Sequence, residues 1–297
     1  MIIDDIHQNN KMYYFDYLGS HYALVMYEGE VELLQDIYNL HVDVLKSGVY
    51  VHQIILNKDG GVATLINGNP YIMMKLHYVD RDIGFDDLIP FFNCYYNGDS
   101  KLSRSNWEVL WSNKIDYLEY EINQLGQKYP EVRDTFSYFV GLGETSIQLV
   151  NMVSNYRENG RIMAVKSISH DRTKNDETLF DLYNPLNLVV DYRVRDIAEY
   201  LKHRYYDGYN IENELNNFLY YSNLTEDEYL LFLARMIYPT YYFDLYEDII
   251  SGVKSSKELK KITNRVNDYQ KLIQNIYSYY KSFLRITPIE WLENVTH

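Results

Sequence analysis

The residues whose types and spacing could do chemistry lie in one stretch, Val165 to Arg204. His170-Asp171-Arg172 opens it, a polar run leads to Glu177, and Asp191 follows Arg172 by 19 positions (191 − 172), with Asp196 just beyond. Histidine and aspartate move protons, and a carboxylate at a strand end can face a cleft and hold a cation. Each also has a plainer role. Taken alone, His170-Asp171-Arg172 reads as a hydrogen-bonded loop, and Asp191 could equally cap the helix that follows it. The triplet gains weight from its spacing to Asp191 and from Asp196.

The elements that must position these residues are short. Thr178-Leu179-Phe180-Asp181-Leu182-Tyr183 and Leu186-Asn187-Leu188-Val189-Val190-Asp191-Tyr192 flank Asn184-Pro185, a strong turn signal. The simplest reading is a hairpin of two strands, the second ending at Asp191, with a helix from about Val194.

This segment resembles the catalytic segment of the protein-kinase-like phosphotransferases, the class of the aminoglycoside and choline kinases. Those have a His-x-Asp loop, a hairpin and a metal-binding Asp at the end of the second strand. The resemblance puts His170 at the family's His, Arg172 at its catalytic Asp, Asp191 at its metal-binding Asp and Glu177 near its second metal ligand. Asp196-Ile197-Ala198 is similar to the Asp-Leu-Ala that opens the next helix and braces the loop. Two departures weigh against phosphoryl transfer: a cation stands at Arg172, and the segment from Asp191 to Asp196 is short. Asp171, one residue away, could re-aim to act as the base, provided it reaches the acceptor hydroxyl. Mg²⁺ usually takes one or two carboxylates besides substrate phosphates, which Asp191 with Glu177 or Asp181 could supply.

The amino-terminal part fits the same family. Tyr13–Leu18 and Tyr22–Tyr27 read as a hairpin about Gly19-Ser20, and Glu30–Ser47 as an amphipathic helix capped by Gly48. Val51–Leu56, Gly61–Ile66 and Tyr71–Leu76 read as three more strands. In active kinases a strand Lys before the helix holds the nucleotide phosphates and a helix Glu holds that Lys. No Lys occurs between Ser20 and Asn39. Glu30 and Glu32 therefore read as favourable charge at a helix amino terminus.

The rest reads as helices near 104–127, 132–155, 194–206, 211–221, 226–238, 240–250 and 257–284. Trp107, Trp111, Leu118, Ile122 and Leu125 form a core stripe. Gly141-Leu142-Gly143 lies inside a helical pattern, so close helix packing explains it better than a phosphate loop. Thr225 and Glu228 form a capping box.

Composition sets bounds on function. The 297 residues are 46% hydrophobic, enough for a large core and two lobes. A net charge of −14 disfavours nucleic-acid or anionic-membrane partners. The 33 tyrosines serve as amphipathic filler. With Cys94 the lone cysteine, no disulfide forms within the chain, which suits a reducing compartment. No zinc motif, nucleophile elbow, Walker loop or dinucleotide fingerprint occurs. Met1–Asn10 has no apolar run of signal length, and no segment reaches the ~18 apolar residues of a membrane span. The default location is the cytoplasm.

A closer resemblance covers most of the chain. Asn106–Tyr117, Asp191–Tyr200, Leu224–Glu228 and Tyr238-Pro239 are similar to the spore coat-associated kinase-like proteins of Firmicutes, the CotS and YutH types. It implies an α+β, two-lobed, protein-kinase-like fold: a small antiparallel β lobe with one helix at 1–80, five-stranded, and a helical lobe at 81–297 carrying a remnant catalytic segment at 165–200. It further implies a degenerate kinase with a binding or structural role, protein partners in a coat or envelope assembly, and association with the spore coat. The alternative is an active ATP-dependent phosphotransferase on a small hydroxylated, cationic substrate. On that alternative ATP and Mg²⁺ are cofactors, His170, Asp171 and Arg172 form the catalytic loop, and Asp191, Glu177 and Asp196 bind the cofactor, with Asp191 on the metal.

Overall fold

The computed structural model describes residues 6–9, 12–77, 81–155, 163–172, 178–284, 286 and 288–293. The chain divides into two compact units. One comprises residues 1–105 and 166–196, the other 106–165 and 197–297.

The first unit is built on an antiparallel sheet of six strands. These are β1 (His7–Asn9), β2 (Met12–Tyr17), β3 (Ser20–Met26), β4 (Gln53–Ile55), β5 (Thr64–Ile66) and β6 (Asn69–Leu76), ordered β1-β2-β3-β6-β4, with β5 also paired to β6. Two-residue turns fix the registers. Leu18 and Gly19 (φ 48° and 72°) and Asn67 and Gly68 (φ 52° and 84°) are all left-handed. That is the twist two-residue hairpin loops need, and it pairs Tyr17 with Ser20 and Ile66 with Asn69. Ala23, Val25, Ile72, Met74 and Leu76 are buried on the central strands. Helix α1 (Leu34–Lys46) buries Leu34, Ile37, Leu40 and Val44. Gly48, at φ 83°, follows its end and takes a conformation that costs other residues more.

The sequence led to five strands in this part; there are six among the described residues. The extra one, β1, is His-Gln-Asn, without apolar alternation, and it joins β2 by antiparallel backbone pairing. Of the hinge that the kinase likeness places near Leu76 to Val79, residues 78 and 79 lie outside the described residues.

The central segment differs from expectation in one respect. Thr178–Tyr183 is not a strand. It holds a short helix, α5 (Leu179–Leu182), because Asp181 accepts hydrogen bonds from the Thr178 amide (2.8 Å) and hydroxyl (3.1 Å). Leu179 and Leu182, three apart, are its buried positions, the helical spacing rather than the strand one. The hairpin is instead β7 (Lys166–His170) against β8 (Leu188–Tyr192), with Ser167 opposite Asp191 and His170 opposite Leu188. Asn184-Pro185 enters a single 3₁₀ turn before β8, the Asn184 side chain accepting from the Leu186 amide.

The hairpin is held on both edges by chain that follows α2 (Phe85–Phe92). The Ile168 amide donates to the Cys94 carbonyl, and the Tyr96 amide to the Lys166 carbonyl. On the other side the Val190 amide donates to the Leu102 carbonyl and the Arg104 amide to the Val190 carbonyl. α1 also packs on β8 and the turn before it. These bonds group residues 166–196 with the amino-terminal part, where the reading from sequence set the whole 165–200 segment with the helices.

The second unit is helical: α3 (Trp107–Leu125), α4 (Pro130–Asn155), most of α6 (Arg195–Tyr206), α7 (Glu212–Tyr221), α8 (Glu226–Ile237), α9 (Thr240–Ile250), α10 (Leu259–Thr263), α11 (Val266–Lys281) and α12 (Glu290–Glu293). The single helix read over 257–284 is two, separated at Asn264-Arg265. Among the described residues no helix is long and apolar enough to cross a membrane.

Candidate functional site

His170 ends β7 and is 2% exposed. Its ring lies 2.7 Å through Nδ1 from an Asp196 oxygen and 2.9 Å through Nε2 from the Leu182 carbonyl, while its backbone amide donates to the Asp196 carboxylate at 3.1 Å. Phe91 closes the remaining side edge-on, at 4.5 Å between ring centroids. With both nitrogens engaged, His170 has no lone pair aimed at a substrate. Its role is to anchor the loop, with Asp196 as the brace.

Asp171 and Arg172 emerge into solvent. The Asp171 carboxylate is half exposed and lies 3.5 Å from Arg104 Nε. Its amide is held by the Asn187 carbonyl. Among the described residues of this loop, Asp171 is the carboxylate that solvent reaches. Glu177 lies outside the described residues. Asp181 is committed to capping α5.

Asp191 sits on β8, 1% exposed. One carboxylate oxygen accepts from the Tyr192 amide at 2.7 Å, and the other is 3.3 Å from Arg195 Nε. Arg195 is itself buried, and its two terminal nitrogens donate to the carbonyls of His170 and Asp171. Arg193, two residues earlier, stacks its guanidinium on Phe92 at 4.4 Å.

The fold implies Mg²⁺ and ATP, and the donor set can be tested against them. Mg²⁺ needs open carboxylate oxygens. Both Asp191 oxygens are engaged, a guanidinium lies against one, and among the described residues no three His, Cys, Asp or Glu side chains converge to hold a metal. β3, which precedes α1, carries no Lys for nucleotide phosphates. The residues present do not fit the metal.

The comparisons agree with the fold. A family model described as "Spore coat putative kinase YutH" matches residues 1–284. The chain belongs to that family. The endospore coat-associated protein YutH of Bacillus subtilis (strain 168) is 23% identical over 293 residues, covering 89% of this chain and 86% of that one. Among solved structures, an aminoglycoside phosphotransferase from Alicyclobacillus acidocaldarius matches with a TM-score of 0.67 at 10% identity, over 95% of this chain and 93% of that chain. A spectinomycin phosphotransferase, APH(9)-Ia, solved with ADP and spectinomycin, matches at 0.51 and 12% identity, over 98% and 92%. The fold of this YutH-family chain is thus that of the aminoglycoside phosphotransferases.

Arg195 and Arg104 did not stand out in the sequence. The signal was there for Arg195: a carboxylate and an arginine four apart, Asp191-x-x-x-Arg195, with the helix start between them. Arg104 lies 67 positions from Asp171, and no local pattern joins them.

Proposed function

We propose that this chain is a kinase-like protein that does not transfer phosphate and serves as a binding or structural component of a coat or envelope assembly. The observation that carries the reading is the buried Asp191–Arg195 pair, which occupies the carboxylate a phosphotransferase of this fold would use for metal. The cation at Arg172 and the absence of Lys from β3 point the same way. Without metal and strand Lys, little remains to neutralise charge on a transferring phosphoryl group. Membership of the YutH family and the coat association of the Bacillus subtilis relative support placement with the spore coat.

The test is thermal stability of the purified protein titrated with ATP, with and without Mg²⁺, beside an ATP-consumption assay over small alcohols and amino sugars. A ligand that binds the folded state raises its apparent stability. The proposal expects no Mg²⁺-dependent shift at millimolar ATP and no turnover. Turnover abolished by Asp191→Ala would overturn it in favour of an active phosphotransferase.

A further inference from the structure

The helical unit leaves an aromatic patch in solvent. Tyr220 and Tyr221, the last two residues of α7, are 75% and 73% exposed and pack edge-on, 4.8 Å between ring centroids. The Tyr229 hydroxyl donates to the Leu219 carbonyl just before them, and its ring meets Phe283, itself exposed, at 5.2 Å. The surroundings are anionic. Between Arg204 and Arg235 the chain has six carboxylates and no Lys or Arg. Of these, Glu226 is exposed and makes no ion pair among the described residues. The last carbonyls of α7 add partial negative charge at Tyr220 and Tyr221. Lys281 of α11 is taken by Glu293. Exposed tyrosine rings in a negative field suit lysine, whose ammonium can sit over a ring face while its stem lies against apolar surface.

The same unit carries the complement. Lys254, Lys257, Lys260 and Lys261 stand with one acid, Glu258, within eight residues. Leu259 and Ile262 of α10 turn inward, and all four lysines are exposed. Lys254 is held by Asp248 and Lys261 by Glu258, whereas Lys257 and Lys260 make no ion pair among the described residues.

The two surfaces lie at opposite ends of α11. α8 and α11 run antiparallel. Tyr229, near the start of α8, meets Tyr280, near the end of α11, at 4.9 Å between ring centroids. The Tyr269 hydroxyl, near the start of α11, donates to the Met236 carbonyl, near the end of α8, at 2.7 Å. The aromatic patch therefore belongs to the end of α11, and the lysines to the chain just before its first turn. Arg265 to Tyr280 is 15 residues (280 − 265), about 22 Å along a helix. That is beyond the reach of a lysine side chain, so the lysines of one copy cannot cover the patch of the same copy.

We propose that the lysines before α11 in one copy dock on the Tyr220–Tyr221 patch of a second copy, so that the chain assembles head to tail. This gives the proposed assembly role a partner and rests on that reading. With a net charge of −14, two copies repel except where exposed charges of opposite sign meet. Lys257 and Lys260 against Glu226 and the two tyrosines is such a meeting. It joins different surfaces of the two copies, so a free surface of each kind remains at the ends of any assembly.

The experiment is sedimentation velocity of the full-length protein over rising concentration, at low and at high salt. Wild type should grow beyond a dimer, with association weakened about tenfold or more at high salt. Lys257→Glu/Lys260→Glu and Tyr220→Ser/Tyr221→Ser change exposed side chains, and circular dichroism should show both variants folded. Each alone should stay monomeric. Mixed, they should form a one-to-one complex and stop there, because each keeps the surface the other has lost. If either double variant is unfolded, Lys260→Glu or Tyr220→Ser takes its place. A monomeric wild type, assembly indifferent to salt, assembly by either variant alone, or a mixture that stays monomeric overturns the proposal. These outcomes leave the absence of phosphate transfer to the ATP assay, which reads turnover and not mass.

Discussion

Neutralising Glu199 should destabilise the helical unit more than removing either of its cationic partners. Glu199 on α6 is 5% exposed, and one of its oxygens accepts from Lys202 Nζ (2.8 Å), Arg235 Nε and the Thr240 hydroxyl (3.1 Å). Lys202 is fully buried and also donates to the Tyr238 carbonyl. Arg235 lies over the rings of Trp107 and Trp111, at 5.2 and 5.5 Å. The group holds one anion and two cations. Burial opposes charging Glu199, but Arg235 and then Lys202 outweigh it and hold the carboxyl below its usual range. Burial lowers Lys202 to about 8 against the pull of Glu199. Glu199→Gln leaves two buried cations facing each other, and breaking a buried pair this way costs about 3–5 kcal/mol. Arg235→Met leaves the balanced Glu199–Lys202 pair and loses a charge-assisted hydrogen bond, about 2 kcal/mol. The corresponding drop in Tm for Glu199→Gln is on the order of 10 °C. Its pH dependence has a definite sign. Without the carboxylate, the folded-state pKa of Lys202 falls further below 10.5, so above that folded value the unfolded state binds more protons and stability rises with pH. Urea unfolding followed by circular dichroism at pH 7 and pH 9 should show the gap between Glu199→Gln and wild type narrowing. A cost under ~1 kcal/mol, a larger cost for Arg235→Met, or a gap indifferent to pH would refute the charge count.

Acid should weaken the first unit through His52. Its Nδ1 accepts from the His77 amide (3.2 Å) while Nε2 faces the Phe180 carbonyl (3.0 Å), and burial lowers its pKa to about 4. Stability from the neutral ring is complete above the unfolded pKa of 6.5 and is lost as pH falls towards 4, on the order of 2 kcal/mol. His52→Leu should be weaker at pH 7 yet lose less between pH 6.5 and 4.5, and parallel urea midpoints for the two proteins would exclude this. Alkali should act on the tyrosines of the helical unit. Burial raises Tyr241, Tyr269 and Tyr280 well above 10 and Tyr242 to about 12. Ionisation followed at 295 nm should show a late set that titrates only as circular dichroism is lost, and smooth titration of every tyrosine in folded protein would contradict it. Gly141 meets no atom where a Cβ would stand, whereas a Cβ on Gly143 would come within 2.7 Å of Ile115 Cδ1. Gly141→Ala should therefore stabilise α4 by about 0.5–1 kcal/mol and Gly143→Ala by less or not at all, as thermal melts would show.

What was legible in the sequence was mostly local chemistry. Gly19 and Asn67-Gly68 mark their hairpins because left-handed turns demand such residues. The Thr225–Glu228 capping box forms as its spacing requires, with the Glu228 amide donating to the Thr225 hydroxyl and the Thr225 amide to the Glu228 carboxylate. The bracing role of Asp196 came from the likeness of Asp196-Ile197-Ala198 to the phosphotransferases' Asp-Leu-Ala, and its carboxylate does take the His170 amide. Thr178–Tyr183 misled because Thr, Phe and Tyr favour strands, and a four-residue motif, Thr178 to Asp181, overrode that preference by satisfying the Thr178 amide at the start of a helical turn. β1 was invisible because His-Gln-Asn carries no apolar alternation to mark a strand, and its pairing with β2 is not a local signal. Arg195 was missed because a cation beside a supposed metal ligand becomes meaningful only once both are known to be buried.

The residues that carry the likeness to the YutH family can now be separated by what they touch. Trp107 and Trp111 stack on each other, and Trp111 stacks on Tyr238 at 4.2 Å. Arg235 covers the two tryptophans and binds Glu199, and Lys202 ties Glu199 back to the Tyr238 carbonyl. Three of the four resembling segments therefore meet in one buried ionic and aromatic cluster of the helical unit, remote in role from phosphate chemistry. The same segment that supplies Glu199 begins with Asp191 and Arg195, which neutralise each other. A chain that held a metal at Asp191 would be expected to leave that carboxylate open. Here Arg195 closes that carboxylate and the cluster around Glu199 is buried, so these residues bear on holding the fold of this chain.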